Sequence, residues 1–315
     1  MVERQSFEPG YLALHLAGEL KARVKTAYER LHRCDFCGRE CGVDRYDEPG
    51  SCHTGVRAKV ASYGPHFGEE DPLRGTRGSG TIFFSWCNLS CQYCQNYDIS
   101  QRGSGREVEP EELAKTMLLL QEQGCHNINL VSPTHVVAPI LAAVLIAAEA
   151  GLRRPLVWNT GGYDSIASLE LLDGVVDIYM PDMKYASADV GRKYSRVEDY
   201  PEINRAAVKE MHRQVGDLVM DERGVAQRGL LVRHLVLPND LAGTSGVVDF
   251  LADEISHDTY INVMDQYRPC YRAMDMPPLD RRITREEYDK AVQRARKAGL
   301  HRFDRREPRF LHLFR

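Results

Sequence analysis

The stretch Thr81-Ile82-Phe83-Phe84-Ser85-Trp86-Cys87-Asn88-Leu89-Ser90-Cys91-Gln92-Tyr93-Cys94 sets three cysteines within eight residues at the mouth of a short apolar run. Residues 81–85 read as a strand, and the loop after them has the spacing C-x3-C-x2-C. Thiolates are the ligands of iron–sulfur clusters, and a [4Fe–4S] cube has four irons to ligate. Three cysteines on one tight loop, with no fourth beside them, leave one iron open to a substrate. That arrangement suits chemistry at iron rather than simple electron transfer. A zinc site and three unligated loop thiols are the plainer readings, and so dense a spacing at a strand end disfavours both.

Outward from this loop the chain alternates strand and helix. Further strands are expected at 127–132, 156–160, 175–180, 230–237 and 260–264, and helices at 110–123, 136–150, 165–172, 203–215, 247–255 and 285–298. Glu109, Glu111 and Glu112 suit a helix start, and Gly299 suits a helix stop. Six strands separated by helices imply parallel pairing through right-handed crossovers, an α/β fold built as a partial, TIM-like (β/α)6 barrel. Ligands in such sheets sit at the carboxyl ends of the strands, where Asn88, Ser132, Asn159, Asp182 and Asn239 fall. Upstream, 11–33 reads as one amphipathic helix, and the Gly/Pro-rich stretch 63–80 as an ordered connection. The expected division is a 1–75 helix and metal module, a 76–270 barrel and a 271–315 helical extension.

The metal module rests on Cys34, Cys37, Cys41 and Cys52, four thiols within nineteen residues. Gly38 and Gly42 follow two of them and permit tight turns around sulfur. Four ligands complete either a tetrahedral zinc site or the four corners of an auxiliary [4Fe–4S] cluster, and buried free thiols are a third reading. Such a short segment draws much of its folding energy from a bound metal.

Composition sets outer bounds. The chain has 315 residues, 43% hydrophobic, enough for one large core, and a net charge of -4 that marks no nucleic-acid or membrane partner. The basic stretches at 281–285 and 302–309 are interleaved with Asp280, Asp304 and Glu307, as on a solvated surface. Met1-Val2-Glu3-Arg4-Gln5 lacks a signal-peptide core, so a cytoplasmic, reducing location is expected, where seven clustered cysteines out of nine mean metal or catalysis. Cys125 and Cys270 read as core or loop thiols, with a catalytic thiol in the barrel mouth as the alternative for Cys270. His66, His126, His135 and His234 read first as structural hydrogen-bonding groups.

On these residues the chain resembles the radical S-adenosylmethionine superfamily. The resemblance implies that Cys87, Cys91 and Cys94 hold a [4Fe–4S] cluster whose open iron chelates S-adenosylmethionine. One electron then cleaves a C–S bond to methionine and a 5′-deoxyadenosyl radical that abstracts hydrogen. Tyr93 takes the aromatic position that lies near adenine in the family. Met180-Pro181-Asp182-Met183-Lys184 is similar to the Met-x-Asp-x-Lys strand of pyruvate formate-lyase activating enzymes, and Asn159-Thr160-Gly161-Gly162 to their Asp-Thr-Asn-Gly motif. This implies that Asp182, Thr160 and the Met180 carbonyl hold a monovalent cation, with Asn159 standing where the family has a carboxylate. Arg233 matches a family arginine near ribose and carboxylate. Ser132-Pro133-Thr134-His135 stands where many members have Gly-Gly-Glu for the amino group, so Ser132 is the candidate there. Lys184 and Asp265-Gln266-Tyr267 join as pocket candidates.

Ser62-Tyr63-Gly64-Pro65-His66, Gln95-Asn96-Tyr97-Asp98-Ile99-Ser100 and Met264-Asp265-Gln266-Tyr267 extend the likeness to the PflX-like branch over nearly the whole chain. The implied partners are S-adenosylmethionine, an electron donor such as flavodoxin or ferredoxin, and a glycyl radical enzyme. Two other readings stay open: radical modification of a small molecule or peptide, and a catalytically silent, metal-stabilised binding protein.

Overall fold

The apolar runs beyond the cysteine loop are rich in Val, Ile, Leu and aromatic residues, the composition of strands covered on both faces. The computed structural model describes residues 7–304; Met1-Val2-Glu3-Arg4-Gln5, Glu307 and Arg309 lie outside the described residues. There the strands are β1 (Ala58–His66), β2 (Ser79–Phe84), β3 (Arg106–Val108), β4 (Ile128–Val131), β5 (Leu156–Thr160), β6 (Ile178–Pro181), β7 (Val219–Met220), β8 (Ala226–Leu235), β9 (Tyr260–Met264) and β10 (Arg302–Phe303). Strands β2, β4, β5, β6, β8 and β9 lie side by side in that order, all parallel. The expected α/β sheet is therefore borne out. Every residue of β5, β6 and β9 is buried, as strands covered on both faces require.

The edges carry what periodicity did not show. β1 and β3 add antiparallel strands beside β2, and β7 pairs antiparallel with β8. β1 takes in residues 63–66, so part of the expected connection is strand. β3 pairs only with Ala58, Lys59 and Val60, which leaves Pro65 on an open edge where a missing N–H is tolerated. The C-terminal extension contains the expected helix, Arg285–Lys297, but then returns as β10 parallel to β9.

The 11–33 helix is broken. Gly10–Leu16 and Glu19–Arg30 meet at Gly18, whose φ of 75° an L side chain adopts only under strain. The expected border at 75/76 passes between β1 and β2, which pair, and through one shared core: Tyr11, Leu12, Leu20 and Leu31 pack in the same cluster as the barrel's Leu141 and Leu172. Each such fully buried side chain contributes about 1.5–3 kcal/mol. Among the described residues no helix is long and apolar enough to cross a membrane.

Asp177 fastens the N-terminal helices to the sheet. Its carboxylate accepts from Gly10 N at 2.9 Å and Leu156 N at 3.0 Å. Burial pushes its carboxyl up to about 7 against the opposing pull of those two N–H groups and Arg228. An unfolded chain ionises this group at about pH 4, so from there to about pH 7 the folded chain holds one more proton. This part of the stability is complete on the acid side and is lost as pH rises through that window. Urea unfolding of wild type and Asp177→Asn at about pH 4 and about pH 7.5 checks it: the drop between the two should shrink in the variant, and an undiminished drop contradicts it.

Candidate functional site

Trp86 leaves β2 with a φ of 69°, a left-handed turn that swings the following loop across the carboxyl end of the sheet. Cys87, Cys91 and Cys94 thereby line one cavity of about 560 Å3, together with Ser132 after β4, Asn159 and Thr160 on β5, Asp182 and Lys184 after β6, and Arg233 on β8. Leu89 N donates to Cys87 Sγ at 3.4 Å, while Ser195 Oγ lies 2.9 Å from Cys91 Sγ and Ser100 Oγ 3.0 Å from Cys94 Sγ. All nine cysteines are free of disulfides. Burial, followed by the neighbouring Cys91, pushes the Cys87 thiol up to about 12, and burial raises Cys91 as well. Bare thiolates are costly here, whereas a cationic iron core binds them as thiolates outright, so the three-thiol cradle fits a cluster. Among the described residues no three His, Cys, Asp or Glu side chains converge as the ligands of a single metal ion do.

Across the cavity the groups form an ionic floor. Asp182 Oδ1 accepts from Arg233 Nε at 2.8 Å, and Oδ2 pairs with Lys184 Nζ at 2.5 Å. Arg233 Nη2 also donates to Asn159 Oδ1 at 2.7 Å. Burial alone raises the Asp182 carboxyl, but Arg233 and Lys184 outweigh it and hold it below the ordinary carboxylate range. Both side-chain cations stay protonated, because Asp182 outweighs their own desolvation. The carboxylate assigned by resemblance to a monovalent cation thus has two cationic partners of its own. The Thr160 hydroxyl is also engaged, donating to Asp164 Oδ2 at 2.6 Å.

Asp164 is a hub that spacing did not single out. Its Oδ1 accepts from Thr134 Oγ1 at 2.8 Å and Trp158 Nε1 at 3.0 Å, besides the Thr160 bond, in a fully buried setting. Gly162, with a φ of 73°, carries the chain past it; a Cβ there would lie 2.4 Å from Asp182 O and 2.2 Å from Asn204 Nδ2. The turn after β5 therefore fits against Asp182 and Asn204 only because this residue lacks a side chain.

Six of the eight cofactor candidates meet on the cavity: Ser132, Asn159, Thr160, Asp182, Lys184 and Arg233. Tyr93 and Tyr267 do not line it. They are buried behind the loop with ring centroids 6.0 Å apart; Tyr93 OH accepts from Tyr185, and Tyr267 OH donates to Leu279 O at 2.6 Å. Asp265 and Gln266 do face the cavity, and Cys270 does not. His135 and His234 are structural: His135 Nε2 donates to Ser85 O, and His234 bonds Met183 O and Thr244 Oγ1. His66, Glu69, Glu70, Arg268 and Arg282 also reach the cavity. The first three come from the end of β1 and the turn after it, whose Gly/Pro content hid both the strand and its position over the sheet end.

Of the four N-terminal cysteines, Cys34, Cys37 and Cys52 are buried and Cys41 is half-buried; Cys37 forms an isolated bridge with Asp164 at the rim of the sheet. Asp164→Ala would strip the acceptor from three buried donors, each worth about 1–3 kcal/mol when left unmet. The variant should lose at least about 3 kcal/mol in urea unfolding, and a loss under about 1 kcal/mol contradicts the hub.

The sequence profile of the Radical SAM superfamily matches residues 81–221. The Methanocaldococcus jannaschii "Uncharacterized protein MJ0674" is 34% identical over 294 residues, covering 89% of this chain and 79% of its own. MJ0808 of the same organism is 24% identical over 275 residues, covering 80% and 76%. Among solved structures, HydG, a maturase of the [FeFe]-hydrogenase, aligns at 15% identity and a TM-score of 0.48 over 72% of this chain and 51% of its own. TYW1 with a lysine-pyruvate adduct bound aligns at 11% identity and a TM-score of 0.43 over 69% and 73%. The matched segment contains the Cys87/Cys91/Cys94 loop and the strand ends that face it through Lys184, and the chain belongs to the radical SAM superfamily.

Proposed function

We propose that this chain cleaves S-adenosylmethionine reductively at a [4Fe–4S] cluster held by Cys87, Cys91 and Cys94, and that the hydrogen it abstracts belongs to a glycine of a partner enzyme. The observation that carries the reading is the opposition of three thiols and an ionic floor across one cavity. When bound, the cluster and S-adenosylmethionine supply a carbon-centred radical from one electron, delivered by a flavodoxin or ferredoxin. The glycyl partner, and with it the PflX-like assignment, is supported by Met180-Pro181-Asp182-Met183-Lys184.

The chain's own groups bind, orient and shield. Asp182 carries negative charge toward an ammonium, and Arg233 and Lys184 carry positive charge toward a carboxylate, which suits the zwitterionic end of S-adenosylmethionine. Tyr200 fixes this floor: its hydroxyl accepts from Lys184 N at 3.0 Å and bonds Gly161 O at 2.9 Å. Asn204 Nδ2 donates to Asp182 O at 3.0 Å and Gly162 O at 2.9 Å, so the backbone bearing the floor is held from behind. Phe83, Leu89 and Val131 give the cavity an apolar wall that keeps water from a reactive carbon.

The enzyme, reconstituted without oxygen from iron and sulfide and reduced with dithionite, should form 5′-deoxyadenosine from S-adenosylmethionine, and Cys87→Ala should fall to background. Equal product from Cys87→Ala defeats the proposal. With a glycyl radical enzyme present, an EPR glycyl doublet supports the partner, whereas 5′-deoxyadenosine without a doublet moves the substrate to a small molecule or peptide.

A further inference from the structure

The N-terminal cysteines gather around a common space. Gly42 N donates to Cys34 O at 2.9 Å and Cys34 N to Val43 O at 3.0 Å, closing the first three cysteines into one loop. Gly50 lies against the other end of the set: a Cβ there would sit 3.4 Å from Cys41 Sγ and 3.6 Å from Cys52 Sγ. A side chain at position 50 would pack directly against these two sulfurs and the Arg45 stem.

Arg45 gives an independent sign that the space holds an anionic centre. It is 3% exposed, and Nη1 reaches Cys34 Sγ at 3.4 Å. Its other donors go to the carbonyls of Gly55 and His135. Among the described residues no carboxylate pairs with this guanidinium. Buried charges are ordinarily paired, and thiolates around a metal core supply the missing negative charge.

Cysteine spacing along the chain indicates which core. Cys34-x2-Cys37-x3-Cys41 sets three thiols within eight residues, as Cys87-x3-Cys91-x2-Cys94 does, and three thiols so close in sequence suit three corners of a cube, with Cys52 for the fourth.

We propose that Cys34, Cys37, Cys41 and Cys52 ligate a second [4Fe–4S] cluster, capped at all four irons and therefore closed to S-adenosylmethionine. Hydrogen bonds join it to the first cysteine loop on two sides. Gly38, after Cys37, and Asn88, after Cys87, both donate to the Tyr163 carbonyl, at 3.2 and 2.8 Å. Arg39 Nε donates to Asn88 O at 2.6 Å. On the other side Arg45 holds the His135 carbonyl, and the His135 ring holds Ser85 O at 2.9 Å, two residues before Cys87. The second site depends neither on the glycyl partner nor on cleavage of S-adenosylmethionine.

The test is native mass spectrometry of wild-type chain reconstituted without oxygen in iron, sulfide and an equal amount of zinc. Two cubes, about eight irons per chain, are expected. The Cys87→Ala/Cys91→Ala/Cys94→Ala variant should keep about four irons and give, after dithionite, an EPR signal that S-adenosylmethionine leaves unchanged. Cys34→Ser/Cys37→Ser should lose that signal and keep the one that responds. One cube with one zinc in wild type, one cube alone, or a triple-variant signal that S-adenosylmethionine alters would each overturn the proposal. The wild-type mass decides even where a variant does not fold.

Discussion

Arg233 ties together the carboxyl ends of three neighbouring strands. From β8 it reaches Asp182 after β6 and Asn159 on β5, and Lys184 closes on the same carboxylate from its other oxygen. Burying an acid and two bases in one place gains little net stability, because desolvation offsets much of their attraction. Their value lies in position: fixed charges of both signs, held rigid against the three thiols. The backbone behind them is set for this, with Gly162 allowing the close approach and Asp164 anchoring Thr160, Trp158 and Thr134 underneath.

The opposite wall is organised by hydroxyl groups. Cys91 Sγ, Ser195 Oγ, Tyr185 OH and Tyr93 OH form a continuous chain, with steps of 2.9, 2.8 and 2.7 Å. Toward a Cys91 thiolate Ser195 can only donate. Hydrogen bonds to ligand sulfur are among the levers that set a cluster's reduction potential, so the buried tyrosines behind the loop bear on the chemistry without lining the cavity.

Much of this was legible in the sequence, and the misses have physical causes. Parallel strands buried on both faces are near-continuous apolar runs, so β2, β4, β5, β6, β8 and β9 announced themselves. Polar residues at their ends pointed to the cavity, and Asn159, Asp182 and Arg233 all reach it. β1 stayed hidden because an edge strand tolerates Gly64 and Pro65, and with it went His66, Glu69 and Glu70. Gly18 broke a helix whose apolar spacing runs on through it. Ser195, Tyr185 and Asp164 act through contacts between elements distant in sequence, which no local pattern encodes. Tyr93 was placed near the ligand by its position in a motif, but its ring turns back into the Tyr185 and Tyr267 cluster.

On the proposed function, three thiols and an ionic floor meet one ligand across one cavity. A crystal grown without oxygen in S-adenosylmethionine, with anomalous data at the iron edge, tests it most directly. The expected map has an iron peak enclosed by Cys87, Cys91 and Cys94, with the amino and carboxylate groups of the ligand lying between that peak and Asp182 and Arg233. Iron missing from those three sulfurs, or S-adenosylmethionine bound away from Asp182 and Arg233, would contradict it.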